Sequence, residues 1–143
     1  MKTGSAGFTI LELIVVFAIL GLLAQGLSGG LGASLPAMRL KAATRILADD
    51  LRATRRAAIL TQHSAVLTVK ADSYQPPDVP APRNLPAGVQ LSLAAAPGGA
   101  RVASQVRFFS DGSSSGGRLQ LKLGNRYADV SVDWLTGRVN VDD

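Results

Sequence analysis

Cysteine is absent and histidine occurs once, as His63. That combination excludes disulfide and thiolate chemistry and leaves a zinc site only carboxylates, none of which cluster around His63. Aromatic residues make up only 5% of the chain and charged residues 17%, although 47% is hydrophobic. Much of that apolar content lies in one N-terminal block, so the rest is a modest globular domain. The 143 residues suffice for one domain and not comfortably for two. Gly112 to Gly116 has Gly-x-Ser-x-Gly spacing around Ser114, flanked by Ser113 and Ser115, but it lies between expected strands with no following helix to make a nucleophile elbow, and no lysine turns Gly112, Gly116 and Gly117 into a phosphate loop. Asp111, Asp129 and Asp133 would make a calcium site only if folding gathered them; they read instead as one turn aspartate and two wet-face strand aspartates. No catalytic residue, metal ligand or cofactor is expected. The net charge of +5 suits an anionic partner but names none.

The N-terminus is what the sequence does supply. A short polar leader, residues 1–7, carries one positive charge at Lys2 and ends at Gly7. From Phe8 to Ala24 every residue except Thr9 and Glu12 is apolar or glycine, and small and apolar residues continue to Leu35. About 20 apolar residues cross a bilayer as a helix, and the positive leader places the N-terminus in the cytoplasm. An ordinary secretory signal, cut near Ala24, and an uncleaved anchor are the alternatives. The leader's Gly-Phe junction and the carboxylate inside the apolar run argue against the first. Glu12 would cost about 2.5–3.5 kcal/mol in a membrane without a partner, and no lysine or arginine lies between Lys2 and Arg39. Cleavage after Gly7 would create a cation, the amine of Phe8.

Pro36 opens an amphipathic pattern. Leu40, Ala43, Leu47, Leu51, Thr54 and Ala58 recur at steps of three and four, one stripe of a helix. Ile46, Ala53, Ala57 and Leu60 are expected to widen it. Lys41, Arg45, Asp49, Arg52 and Arg56 form the opposite face, read as solvated rather than as a nucleic-acid surface. After His63 the period becomes 2, with strands expected around 65–71, 89–93, 106–108, 119–123, 130–134 and 139–141. Leu135-Thr136-Gly137 reads as a hairpin turn. Residues 72–84, with four prolines, and the Gly/Ser-rich 111–117 read as surface loops. The expected fold class is α+β: a long N-terminal helix, membrane half and amphipathic half, packed on antiparallel sheet.

Gly7-Phe8-Thr9-Ile10-Leu11-Glu12 and the apolar run behind it resemble the class III signal of type IV pilins and pseudopilins. The run from Phe108 to Gly117 and the run from Val132 to Val139 are similar to the C-terminal half of the GspH/FimT family, although Ser110 stands where that family would have proline. The resemblance covers the N-terminal signal and the C-terminal part; the proline-rich segment and 94–104 match nothing recognisable. It implies a pilin-like fold, no enzymatic activity and no cofactor. It implies cleavage by prepilin peptidase after Gly7, N-methylation of Phe8, and Glu12 as the carboxylate that pairs with a neighbouring subunit's N-terminal amine. The implied organisation is a leader (1–7), a transmembrane or filament-core helix (8–35), an amphipathic helix (36–62) and a β-rich periplasmic domain (63–143). The implied role is a minor subunit of the type II secretion pseudopilus near its tip. Its partners would be the major pseudopilin, minor pseudopilins I, J and K, and inner-membrane lipid. A FimT-like minor pilin acting in DNA uptake and a membrane-anchored binding domain are the alternatives. Nucleic acid is not expected as a partner, because the chain ends in Asp142-Asp143 rather than in added arginines.

Overall fold

The computed structural model describes residues 9–94 and 104–142, with side chains described throughout except at 24–34. The chain divides into two units, Met1–Leu35 and Pro36–Asp143. One helix, α1 (Ile10–Thr61), runs through both and contains Pro36, which has no N–H to donate to the helix ladder. Gln62 ends the helix with φ 56°, the left-handed conformation that turns a helix off. Its side chain donates to the Ile59 carbonyl at 2.7 Å, and His63 Nδ1 lies 2.7 Å from the Thr61 carbonyl oxygen. His63 therefore belongs to the helix terminus.

In the second unit, eight strands follow the helix among the described residues: β1 (Ala65–Val69), β2 (Ser73–Gln75), β3 (Arg83–Asn84), β4 (Val89–Ala94), β5 (Gln105–Phe108), β6 (Gly117–Leu123), β7 (Arg126–Val132) and β8 (Val139–Asp142). They form two four-stranded antiparallel sheets, ordered β3-β2-β1-β5 and β4-β6-β7-β8. Leu121 sits opposite Leu91 on one side and Ala128 on the other, so one face of the second sheet is continuous and apolar. A single core joins Leu40, Leu47 and Leu51 of the helix to Leu67 and Phe108 of the first sheet and Leu119, Leu121 and Val130 of the second. Burial of apolar surface between helix and sheets is what holds the domain together. Thr44 and Thr54 lie in the buried stripe, each donating its hydroxyl to the carbonyl one turn back, at 2.8 Å.

Three expectations need correction. The proline-rich 72–84 is not simply a surface loop: it contains β2 and β3, and Tyr74 is only 3% exposed. The prolines sit between those strands, and Tyr74 reaches the core because β2 pairs with β1 through Val69↔Tyr74. The helix stripe is narrower than expected. Ile46 and Leu60 are 51% and 81% exposed, and Ala53 is exposed too, because Ala48 and Thr44 face the sheets instead. Trp134 is not a strand residue on the apolar face. Strand β7 ends at Val132 and Trp134 stands 49% exposed on a turn, since the Asp133 carboxylate gathers the next backbone amides.

Candidate assembly site

The N-terminal unit begins with Thr9 as the N-cap of α1. The Glu12 N–H lies 3.3 Å from Thr9 Oγ1 and 3.1 Å from its carbonyl oxygen, and the Leu13 N–H donates to the same carbonyl at 3.2 Å. Thr9-x-x-Glu12 thus has capping-box spacing, and the Glu12 carboxylate stands in the first turn, where the helix dipole favours negative charge. The Thr-x-x-Glu signal for this local role is in the sequence, beside the charge pairing expected of Glu12. Every described side chain from 9 to 23 is exposed, including Phe17 at 65% and Leu22 at 71%. A helix apolar on all sides needs an apolar surrounding. Gly7 and Phe8 lie outside the described residues, so their expected roles are not addressed by the geometry. Among the described residues, no helix is long and apolar enough to cross a membrane. The side chains of 24–34, inside the expected 8–35 span, are not among those described.

The second unit presents a different feature, centred on Arg55, which sequence reasoning passed over. Arg55 is half-buried on α1; its Nε donates to the Gly112 carbonyl at 3.0 Å and a terminal nitrogen to the Thr136 carbonyl at 2.9 Å. It ties the loop after β5 to the turn between β7 and β8. Nothing in residue spacing flags such a clamp, because the two carbonyls lie 57 and 81 positions away. Gly137, at φ 63°, lets the two backbones approach; this is the glycine expected at the turn.

Asp133 organises that turn. Its Oδ1 accepts from the Thr136 amide at 2.7 Å, the Thr136 hydroxyl at 2.8 Å and the Leu135 amide at 3.1 Å. It is a turn residue rather than a strand aspartate. Asp111 does the same in the other loop, accepting from the Ser113 hydroxyl at 2.6 Å and amide at 2.9 Å. Asp129 accepts from Gln120 at 3.0 Å. The three aspartates serve separate contacts, and among the described residues no group of His, Cys, Asp or Glu could hold a metal ion. Ser114 and Ser115 are buried and join loop backbone: the Ser114 hydroxyl donates to the Asp133 carbonyl at 2.9 Å, and Ser115 Oγ accepts from the Arg107 amide at 3.1 Å.

These bonds lower the pKa of both turn carboxyls. For Asp133 the Thr136 amide is the largest cause, then its hydroxyl. For Asp111 it is the Ser113 hydroxyl, then its amide. A depressed folded value means stabilisation that is present above the ordinary carboxylate pKa of about 3.9 and is lost as pH falls through the lower folded value. Fluorescence of Trp134, the one tryptophan of the chain, should therefore hold steady down to about pH 4 and change only below it. Asp133→Asn keeps an acceptor oxygen that does not titrate, so that component should vanish from the acid titration. A midpoint at or above the ordinary value would refute the assignment.

The helix packed on antiparallel sheets is a pilin-like fold, and solved structures share the arrangement. The minor pseudopilin EpsH of the Vibrio cholerae type 2 secretion system aligns with TM-score 0.58 and 15% identity over 72% of this chain and 92% of that one. The type IV minor pilin FimU of Pseudomonas aeruginosa aligns with TM-score 0.55 and 13% identity over 73% and 88%. The model of the prokaryotic N-terminal methylation motif matches residues 2–24. The chain belongs to the family of the type II transport protein GspH, whose model matches residues 43–136. A Type II secretion system protein H of Xanthomonas campestris pv. campestris is 29% identical, covering 93% of this chain and 80% of that protein.

Proposed function

We propose that this chain is a minor pseudopilin of type II secretion, a structural subunit of the pseudopilus that helps export folded proteins. The match of the GspH family model to residues 43–136 carries the reading. The fold alone would not choose between a pseudopilin and a type IV minor pilin, because a solved structure of each kind aligns about equally well. The methylation motif over residues 2–24 supports an inner-membrane precursor whose leader ends at Gly7 and whose mature chain starts at an N-methylated Phe8. Prepilin peptidase would make that cut. The exposed apolar helix over 9–23 would be covered first by lipid and later by other subunits. Those subunits would be the major pseudopilin and minor pseudopilins I, J and K, with this chain near the tip and residues 63–143 in the periplasm.

In this reading Glu12 has two tasks: it supports the start of its own helix, and it receives a neighbour's Phe8 amine in the filament. Charges paired in a poorly solvated interface gain Coulomb energy but lose hydration, so such a pair acts more as a register check than as glue. Intact-mass measurement of the membrane-extracted protein should give a chain starting at methylated Phe8. A start at Gln25, or a retained leader, would overturn the processing. Glu12→Ala and Glu12→Gln should both be cleaved and inserted normally, yet cross-link poorly to the major pseudopilin and lower secretion. The glutamine variant separates the two tasks, because it keeps a helix-start polar group while losing the charge. If deletion of the whole chain leaves secretion intact, the functional reading itself fails.

A further inference from the structure

The cleft beside the Arg55 clamp is lined by Arg52, Arg55, Arg56 and Arg138 together with the backbone of 137–140, and encloses about 510 Å³. We propose that this groove and the neighbouring Trp134 and Leu135 form a docking site for a polypeptide segment that carries carboxylates next to apolar side chains.

The charge balance of the groove points to carboxylate. Arg52 pairs with Asp49 at 2.9 Å, and its other terminal nitrogen donates to the Val139 carbonyl at 3.2 Å; the charge of Arg138 acts on the Asp133 carboxylate. Arg55 donates to two neutral carbonyls, which satisfy two of its N–H groups without neutralising its charge. Arg56 is exposed and makes no hydrogen bond or ion pair among the described residues. Arg138 is exposed beside it. Planar guanidinium groups fixed in place accept carboxylates in a two-point geometry that a flexible ammonium does not. The clamp bonds of Arg55 and the ion pair of Arg52 order two of the four guanidiniums in advance, which lowers the entropy cost of binding.

The adjoining turn favours a protein segment over nucleic acid. Trp134 and Leu135 are 49% and 63% exposed, yet the Asp133 bonds and the Gly137 N–H to Asp133 carbonyl bond at 2.9 Å hold their backbone in one shape. Tryptophan and arginine side chains are the types that dominate protein–protein contacts. Two exposed carboxylates stand against groove arginines, Asp49 against Arg52 and Asp133 within reach of the Arg138 charge. Those carboxylates break up the broad positive stripe that a phosphate backbone requires, whereas a short acidic segment needs only a local cluster of guanidiniums. This inference is independent of filament assembly and would hold for a domain that never entered a pseudopilus.

The test uses the full chain in detergent micelles and a synthetic peptide alternating glutamate and leucine. Titration by NMR should move the Arg56 and Arg138 Nε–H signals and the Trp134 indole N–H saturably. The paired change Arg56→Glu and Arg138→Glu alters two exposed side chains, so the far-UV circular dichroism should be unchanged while affinity falls about tenfold or more at low salt. A lysine–leucine peptide should leave the signals in place. The proposal is overturned if the charge-reversed variant binds the peptide as the parent does. It is equally overturned if the shifts fall on residues 9–23 instead, or if short duplex DNA binds the groove more tightly than the peptide.

Discussion

Gly137→Ala should destabilise the folded domain by about 2–4 kcal/mol, the sum of a left-handed backbone penalty and overpacking against fixed atoms. Gly137 is buried with φ 63°. A Cβ there would run into the Gly112 carbonyl oxygen and stand 2.8 Å from Arg55 Nε and 3.2 Å from Arg55 Cδ. The first obstacle is backbone and cannot rotate away. The others belong to a side chain already held by its bonds to Gly112 and Thr136. The methyl must therefore separate the two loops, and the clamp bonds lengthen with them. Gly124→Ala is the control. Gly124 has φ 58°, in the two-residue loop between β6 and β7, and a Cβ there meets nothing within 4 Å. It should cost only about 1 kcal/mol, from backbone conformation alone. Urea denaturation followed by circular dichroism measures both. Equal losses would show that the close approach at Gly137 has no energetic weight.

Asp50→Ala should cost about 2–3 kcal/mol, because it strands the buried Tyr74 hydroxyl without its acceptor. Tyr74 donates its hydroxyl to Asp50 Oδ2 at 2.8 Å, and Arg83 Nε lies 3.1 Å from the same oxygen. Asp50 is mostly buried and Tyr74 almost wholly so, whereas about half of the Arg83 side chain is in solvent. The Arg83 pair is therefore screened and contributes little by itself. The main loss is the unpaired Tyr74 hydroxyl. Burial, with the Asp50 hydrogen bond second, raises the Tyr74 pKa well above its ordinary value, so the phenol stays a donor through the alkaline range. Tyr74→Phe removes the donor and leaves Asp50 with Arg83, at a cost of about 1 kcal/mol. In Asp50→Ala/Tyr74→Phe no hydroxyl is stranded, so the double loss should fall short of the sum by about 1 kcal/mol. Strict additivity would mean that the pair is not coupled.

The signals for the candidate assembly site are local. The Gly7-Phe8 junction, the carboxylate at Glu12 and the apolar run lie within one stretch of chain. The capping relation of Thr9 to Glu12 is equally local, a Thr-x-x-Glu spacing within one turn. The groove was not legible. Arg52 and Arg56 read as a wet helix face, and nothing in their spacing tied them to Arg138 on a hairpin far along the chain.

The sequence by itself determined the helix, its core stripe and most of the strands, since periods of 3.6 and 2 are imposed by backbone geometry wherever one face is buried. Leu40, Ala43, Leu47, Leu51, Thr54 and Ala58 are all buried, as their spacing requires. It also determined the glycine turn at Gly137, because only a residue without Cβ takes that conformation cheaply. Tertiary structure alone decided that Tyr74 enters the core from a proline-rich segment, that Asp50 meets it there, and that Arg55 closes two loops. Each of these joins residues distant in sequence through one or two directed hydrogen bonds. Such bonds repeat with no period, so they become visible only once burial of the apolar faces has brought their partners within reach.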